Sequence, residues 1–105
     1  MKMVRAVIRP EKTEEVAAAL DKAGYSSMTK FHVFGRGKQG GLHVGSVHYD
    51  ELSKVLLMLV VEDGEADEVM EIITEWGRTG NMGDGKIFVT QVDEVHTIRT
   101  GEVQL

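Results

Sequence analysis

The sequence has no cysteine and a single proline. The first absence removes disulfide frameworks, thiolate metal sites and cysteine nucleophiles, and is compatible with a reducing interior. Long apolar stretches are missing too: the longest, Val55 to Val61, has seven residues, far short of a membrane span. At the amino terminus Arg5, Arg9 and Pro10 interrupt any run that would read as a signal peptide, so a cytoplasmic protein is expected. Basic residues are the minority, 12 Lys and Arg against 17 Asp and Glu, interspersed and giving a net charge of −5. A general nucleic-acid footprint is therefore absent. At 105 residues the chain is read as one domain, 1–105, with a core of its own but small enough for assembly to matter.

What the chain does have is a concentration of backbone freedom around one cation, in Thr79-Gly-Asn-Met-Gly-Asp-Gly-Lys-Ile-Phe-Val89. Gly80, Gly83 and Gly85 can take positive φ or admit a ligand close to the main chain. Successive N–H groups can then turn toward an anion, with Lys86 adding charge and Asp84 shaping the turn. Gly80 to Lys86 matches the start of a Walker A pattern, but Ile87 replaces the Mg²⁺-binding Ser or Thr and a strand follows, so it is not a P-loop. The alternative is an ordinary glycine-rich turn between helix and strand. No base with a nucleophile beside it accompanies Lys86, which argues against a small ATP-using enzyme.

Read in order, Met1 to Arg9 is a first strand that Pro10 stops. Val16, Ala17, Leu20 and Ala23 then mark one face of a helix capped at Gly24. Tyr25 to Phe34 is a second strand. Gly35 to Asp50 holds five glycines between 35 and 45 and no sustained period, and is read as a long exposed loop. Such a loop in a compact domain is uncommon unless it is functional or disordered. Its opening, Gly35 to Gly40, fits G-x-G-x-x-G without the helix that a dinucleotide site requires, yet Arg36, Lys38 and Gln39 suit anions. Lys54 to Val61 is apolar on both faces, as in a central strand. Val69, Met70, Ile72, Ile73 and Trp76 line a second helix ending at Gly77, and Lys86 to Val89 is a further strand. Val92 to Ile98 adds a short extended segment before the tail. The two β-α-β halves suggest an α+β, ferredoxin-like βαββαβ sandwich with an antiparallel sheet, both helices on one face and an open face that calls for a homo-oligomer.

Five separated motifs carry a resemblance over nearly the whole chain: Thr79 to Val89, Met28-Thr29, Gly35-x-Gly37-Lys38-Gln39, Leu52-Ser-Lys54-Val55 and Ile98-Arg-Thr-Gly-Glu102. Together they resemble the PII signal-transduction family. The resemblance implies a homotrimer of ferredoxin-like subunits with a T-loop at 36–53 between strands 2 and 3, a B-loop at 79–86 and a C-loop and tail at 98–105. It implies ATP or ADP in clefts between subunits, and 2-oxoglutarate with Mg-ATP at the T-loop base, with no prosthetic group and no catalysis.

Carried over by position, Gly83, Gly85 and Lys86 would hold phosphates, joined by Gly37 and Lys38, with Arg99 reaching in from the neighbouring C-loop, and Asp84 would belong to the same nucleotide-binding loop. Thr29, Gly35, Val60 and Glu62 would lie beside the adenine. Gln39 would ligate Mg²⁺ and contact 2-oxoglutarate with Gly41, and Lys54 would pair with its distal carboxylate. Ammonium and guanidinium groups suit polyphosphate, and an amide oxygen suits Mg²⁺. Arg36 and the segment Gly40 to Tyr49 would dock onto a target.

Two departures refine the expectation. Thr97 stands where many relatives carry a further phosphate-binding arginine, which leaves ATP against ADP preference open. The T-loop is trimmed and lacks a tyrosine at the modified position, so uridylylation is not expected. Lys38-Gln-Gly-Gly41 and Tyr49 to Lys54 look more like the nitrogenase-associated branch of methanogens and other anaerobes, whose members pair with a sister PII subunit and inhibit nitrogenase directly. A PII-like regulator of a transporter, of the glutamine synthetase pathway or of a carboxylase is the alternative. His32, His43, His48 and His96 lack the helical i, i+4 spacing of a metal motif. Trp76 and the six methionines are read as core and interface packing.

Overall fold

In the computed structural model, residues 1–36, 42–44, 47–49 and 51–105 are described. Four strands, β1 (Lys2–Ile8), β2 (Thr29–Gly35), β5 (Leu52–Val61) and β6 (Lys86–Gln91), make one antiparallel sheet in the order β2-β5-β1-β6. Helices α1 (Thr13–Lys22) and α2 (Ala66–Gly77) pack on each other and cover one face. With the expected βαββαβ core in this strand order, the α+β ferredoxin-like reading holds. A separate two-stranded hairpin, β3 (Leu42–Val44) and β4 (Val47–Tyr49), lies between β2 and β5.

The register divides β5 by residue parity. Val55, Leu57, Leu59 and Val61 turn to the helices and are buried with Val4, Ala6 and Ile8 of β1 and Val16, Leu20, Val69 and Ile73 of the helices. Leu56, Met58 and Val60 take the other face and are only half-buried. Phe31 and Phe88, which share that face by register, are 43% and 51% exposed. The strand apolar on both sides is thus central, with one side covered by this chain.

Three expectations about the strands need correction. The second strand begins at Thr29 rather than Tyr25, because Tyr25 and Met28 instead pack against the core from the preceding turn. The 35–50 stretch is not without periodic structure, since it contains β3 and β4 with Val44 opposite Val47. Gly45-Ser46, a dipeptide common between hairpin strands, was the available signal. The last extended segment is no strand: it is a single bridge, His96 with Val103, around a turn closed by Thr97 N–H to Glu102 O at 2.8 Å.

The two helix ends also differ. Gly24 has φ +99° and follows α1 as expected, while Gly77 is the last residue of α2 and is buried. A Cβ there would meet Val16 Cγ2 at 3.6 Å and Ile8 Cγ2 at 3.8 Å, so the small residue permits close packing. Trp76 lies off the stripe formed by Ala66, Val69, Ile73 and Gly77, and is 45% exposed rather than core. No helix among the described residues is long and apolar enough to cross a membrane.

Candidate functional site at the Gly80 to Lys86 loop

The loop between α2 and β6 is knitted by one carboxylate. Asp84 Oδ2 accepts the main-chain N–H groups of Thr79 at 2.9 Å and Gly80 at 2.8 Å. Its Oδ1 accepts the Thr79 hydroxyl at 2.5 Å and Arg9 Nε at 2.9 Å. The Thr79 hydroxyl in turn accepts Asn81 N–H at 3.2 Å. The Thr79 hydroxyl is the chief cause that holds the Asp84 carboxyl far below the usual carboxylate range, and Arg9 and the two N–H groups add to it. Asp84 therefore organises the loop from within.

Gly80, Gly83 and Gly85 all take positive φ, at +90°, +99° and +104°. At Gly85 the need is also steric: a Cβ would fall 1.7 Å from the Val7 carbonyl oxygen, inside the β1 backbone. Lys86 follows at once as the first residue of β6, opposite Val7.

Two cations meet this loop from the sheet. Arg9, one residue beyond β1, donates through Nη2 to the Met82 carbonyl at 2.7 Å. Lys54, near the start of β5, is 8% exposed and donates through Nζ to the Gly83 carbonyl. Its pKa is lowered, first by burial and then by Arg9. Arg9 is paired with the Asp84 carboxylate, whereas the desolvated Lys54 ammonium is bonded to a neutral carbonyl. Gly35 adjoins it, since a Cβ on that glycine would lie 3.7 Å from Lys54 Cγ. The root of the 36–53 loop and the glycine-rich loop thus meet at Lys54.

The predicted residues separate into groups. Gly35, Lys54, Gly83, Asp84, Gly85 and Lys86 gather at one end of the sheet. Thr29 and Val60 line a groove of about 740 Å³ with Tyr25, Met58, Val95 and Leu105. On β5, Val60 is six residues from Lys54, about 20 Å along an extended strand. Glu62, just past β5, caps the next turn with Glu65, whose Oε1 accepts Glu62 N–H at 3.1 Å. Arg99 lies in the exposed turn of the tail. Gly37, Lys38, Gln39, Gly40 and Gly41 lie outside the described residues, so the Mg²⁺ assignment has no geometry here. Arg36 is exposed at the end of β2. Among the described residues no group of three or more His, Asp or Glu side chains is placed to hold a metal.

Sequence reasoning missed Arg9 as part of the site and, though it began the loop at Thr79, gave that side chain no role. Arg9 had only its place at a strand end to mark it, while Thr79 could have been found from the Thr-Gly-x-x-x-Asp spacing that lets an Asp side chain close a turn.

A ferredoxin-like sheet whose glycine-rich loop meets the root of its longest connection defines a small α+β domain. The family described as Nitrogen regulatory protein P-II matches residues 1–102, and the chain belongs to that family. Among its relatives, the Nitrogen fixation nifHD2 region GlnB-like protein 1 of Methanosarcina barkeri is 59% identical over 97% of each chain. The corresponding nifHD region protein of Methanothermobacter marburgensis is 52% identical over 97% of each. Nitrogen regulatory protein P-II 2 of Methanothermobacter thermautotrophicus is 47% identical, over 97% of this chain and 92% of its own. The likeness to the nitrogen-fixation branch agrees with the sequence reading.

Proposed function

We propose that the chain is a non-enzymatic, cytoplasmic nitrogen-status sensor that binds ATP or ADP and 2-oxoglutarate and regulates nitrogenase by direct contact. The observation that carries this reading is the meeting of Lys54, Arg9 and the glycine-rich loop, with the Lys54 ammonium bonded to a neutral carbonyl, an arrangement that suits an anion. Lys86 and the N–H groups of Gly83 to Gly85 suit phosphates, and Lys54 suits a carboxylate. Mg²⁺, when bound with ATP, would bridge phosphate oxygens and neutralise their charge. Nitrogenase as the target rests on the nifHD names of the relatives.

The distance between the loop and the groove at Thr29 and Val60 favours a cleft shared by two copies, one supplying the phosphate loop and the other the groove. A homotrimer, with or without a sister subunit, satisfies this and covers the half-exposed face of Leu56, Met58 and Val60. Ligands would then act by population shift, ordering the root of the 36–53 loop in the one arrangement that docks. A regulator of a transporter, of the glutamine synthetase pathway or of a carboxylase would use the same site with another partner.

Calorimetric titration with ATP and ADP, with and without Mg²⁺ and 2-oxoglutarate, tests the sensor. Binding of 2-oxoglutarate only with Mg-ATP is expected, and Lys86→Ala should weaken nucleotide about tenfold or more, the size of a lost charge-assisted contact. Nucleotide binding absent both from the chain alone and from its mixture with a sister subunit would defeat the reading. Recovery of a transporter in place of nitrogenase from nitrogen-fixing cells would transfer it to the alternative.

A further inference from the structure

Two cations from the sheet hold neighbouring main-chain carbonyls of the Gly80 to Lys86 loop. Arg9 holds the Met82 carbonyl and Lys54 the Gly83 carbonyl, both on the sheet side of the loop. All peptide bonds here are trans. In a planar trans peptide the N–H points opposite to its own C=O. The partner of the Met82 carbonyl is the N–H of Gly83, and that of the Gly83 carbonyl is the N–H of Asp84. With both carbonyls held toward the cations, these two N–H groups face away from the sheet. Neither donates to an acceptor among the described residues. Two adjacent outward donors in a turn form an anion-binding concavity.

We propose that Arg9 and Lys54 are positioning residues for nucleotide phosphate, orienting the Gly83 and Asp84 peptides so that their N–H groups form the receiving surface. The inference rests on the reading of the loop as a nucleotide site and adds a duty to Lys54 besides its carboxylate contact. Arg9 is suited to it because its fork spans two acceptors, the Asp84 carboxylate at 2.9 Å and the Met82 carbonyl at 2.7 Å. Lysine carries the same charge but is a single-point donor cluster without that planar fork. Polarisation adds to the effect, since a carbonyl held by a cation makes the N–H of its own peptide a stronger donor.

The test separates aim from charge. ADP is titrated without Mg²⁺ or 2-oxoglutarate into the full chain, into Arg9→Lys and into Lys54→Met, at low and high salt. Amide NMR of the three proteins follows Gly83 and Asp84. Arg9→Lys keeps the charge and loses the fork, and is expected to weaken ADP about three- to tenfold, the worth of one hydrogen bond, while moving the Gly83 and Asp84 amide signals. Lys54→Met is expected to weaken ADP by a similar factor or more, with a shallower salt dependence because it removes a cation within a Debye length of the loop, and to move the Asp84 amide signal. Unchanged ADP affinity in Arg9→Lys overturns the proposal, as does an Asp84 amide signal left unmoved in Lys54→Met, which would mark a loss of charge alone. Failure of the unaltered protein to bind ADP would instead remove the nucleotide reading on which the proposal stands.

Discussion

Arg9 and Asp84 are 75 positions apart in the chain and 2.9 Å apart in the fold, joining the end of β1 to the loop that precedes β6. The pair closes a circuit. Asp84 fixes the loop's start through Thr79 and Gly80, and Arg9 fixes its middle through the Met82 carbonyl. The loop is therefore held by side-chain contacts at both its start and its middle, which would lower the ordering cost of binding an anion there.

Replacing Asp84 with Asn keeps the shape and removes the charge that four donors share. Asp84→Asn should lower unfolding stability by about 1–2 kcal/mol, the worth of hydrogen bonds to a charged group discounted for partial exposure. It should also weaken ADP. Denaturant melts and calorimetry on one preparation check both, and an unchanged melt would show that the loop holds without its carboxylate.

The same group sets an acid dependence. Its folded pKa lies far below the ordinary carboxylate value, so its stabilisation is complete above about pH 5 and is lost as pH falls through 4 toward the folded value. The stability gap between the unaltered protein and Asp84→Asn should narrow over that descent. A gap constant down to pH 2 would contradict the account of a carboxylate held ionised by its hydrogen bonds.

Lys54 should show the opposite economy. A buried ammonium with a depressed pKa costs stability at neutral pH, and that cost is relieved as pH rises from the folded pKa toward the ordinary lysine value. Lys54→Met should therefore stabilise the protein by about 1 kcal/mol at pH 7 while abolishing 2-oxoglutarate binding. Its advantage should shrink in alkaline buffer. Intact 2-oxoglutarate affinity would remove Lys54 from that site.

Two glycines of the loop should answer differently to alanine. Gly85→Ala drives a Cβ into the Val7 carbonyl and should cost about 3 kcal/mol or more, or prevent folding. Gly80→Ala meets no atom within 4 Å and carries only its positive-φ penalty, about 1 kcal/mol. Thermal melts of the two variants give the comparison, and equal losses would mean that backbone conformation alone sets the requirement.

Much of this was legible beforehand because it depends on local pattern. The parity of Val55 to Val61, the Val16 and Leu20 spacing and the Gly80, Gly83, Gly85 series each reflect constraints acting within a few residues. Errors fell where a distant neighbour decided the outcome. Tyr25 and Met28 have strand character but are drawn onto the core, and Gly77 is set by Val16 and Ile8 rather than by a cap. The hairpin strands are three residues each, too short for their alternation to stand out from a glycine-rich surrounding.

By itself the sequence determined the four main strands and two helices, the antiparallel α+β plan, the family motifs and the glycine positions of the 79–86 loop, because side-chain period and backbone sterics are written residue by residue. Only the tertiary structure decided that Lys54 is buried against the Gly83 carbonyl, that Arg9 grips the same loop, and that the Thr29 and Val60 groove lies about 20 Å from it along the strand. Those relations follow from which strands pair and in what register. Pairing between distant segments is fixed by the burial of the whole core rather than by any stretch of it.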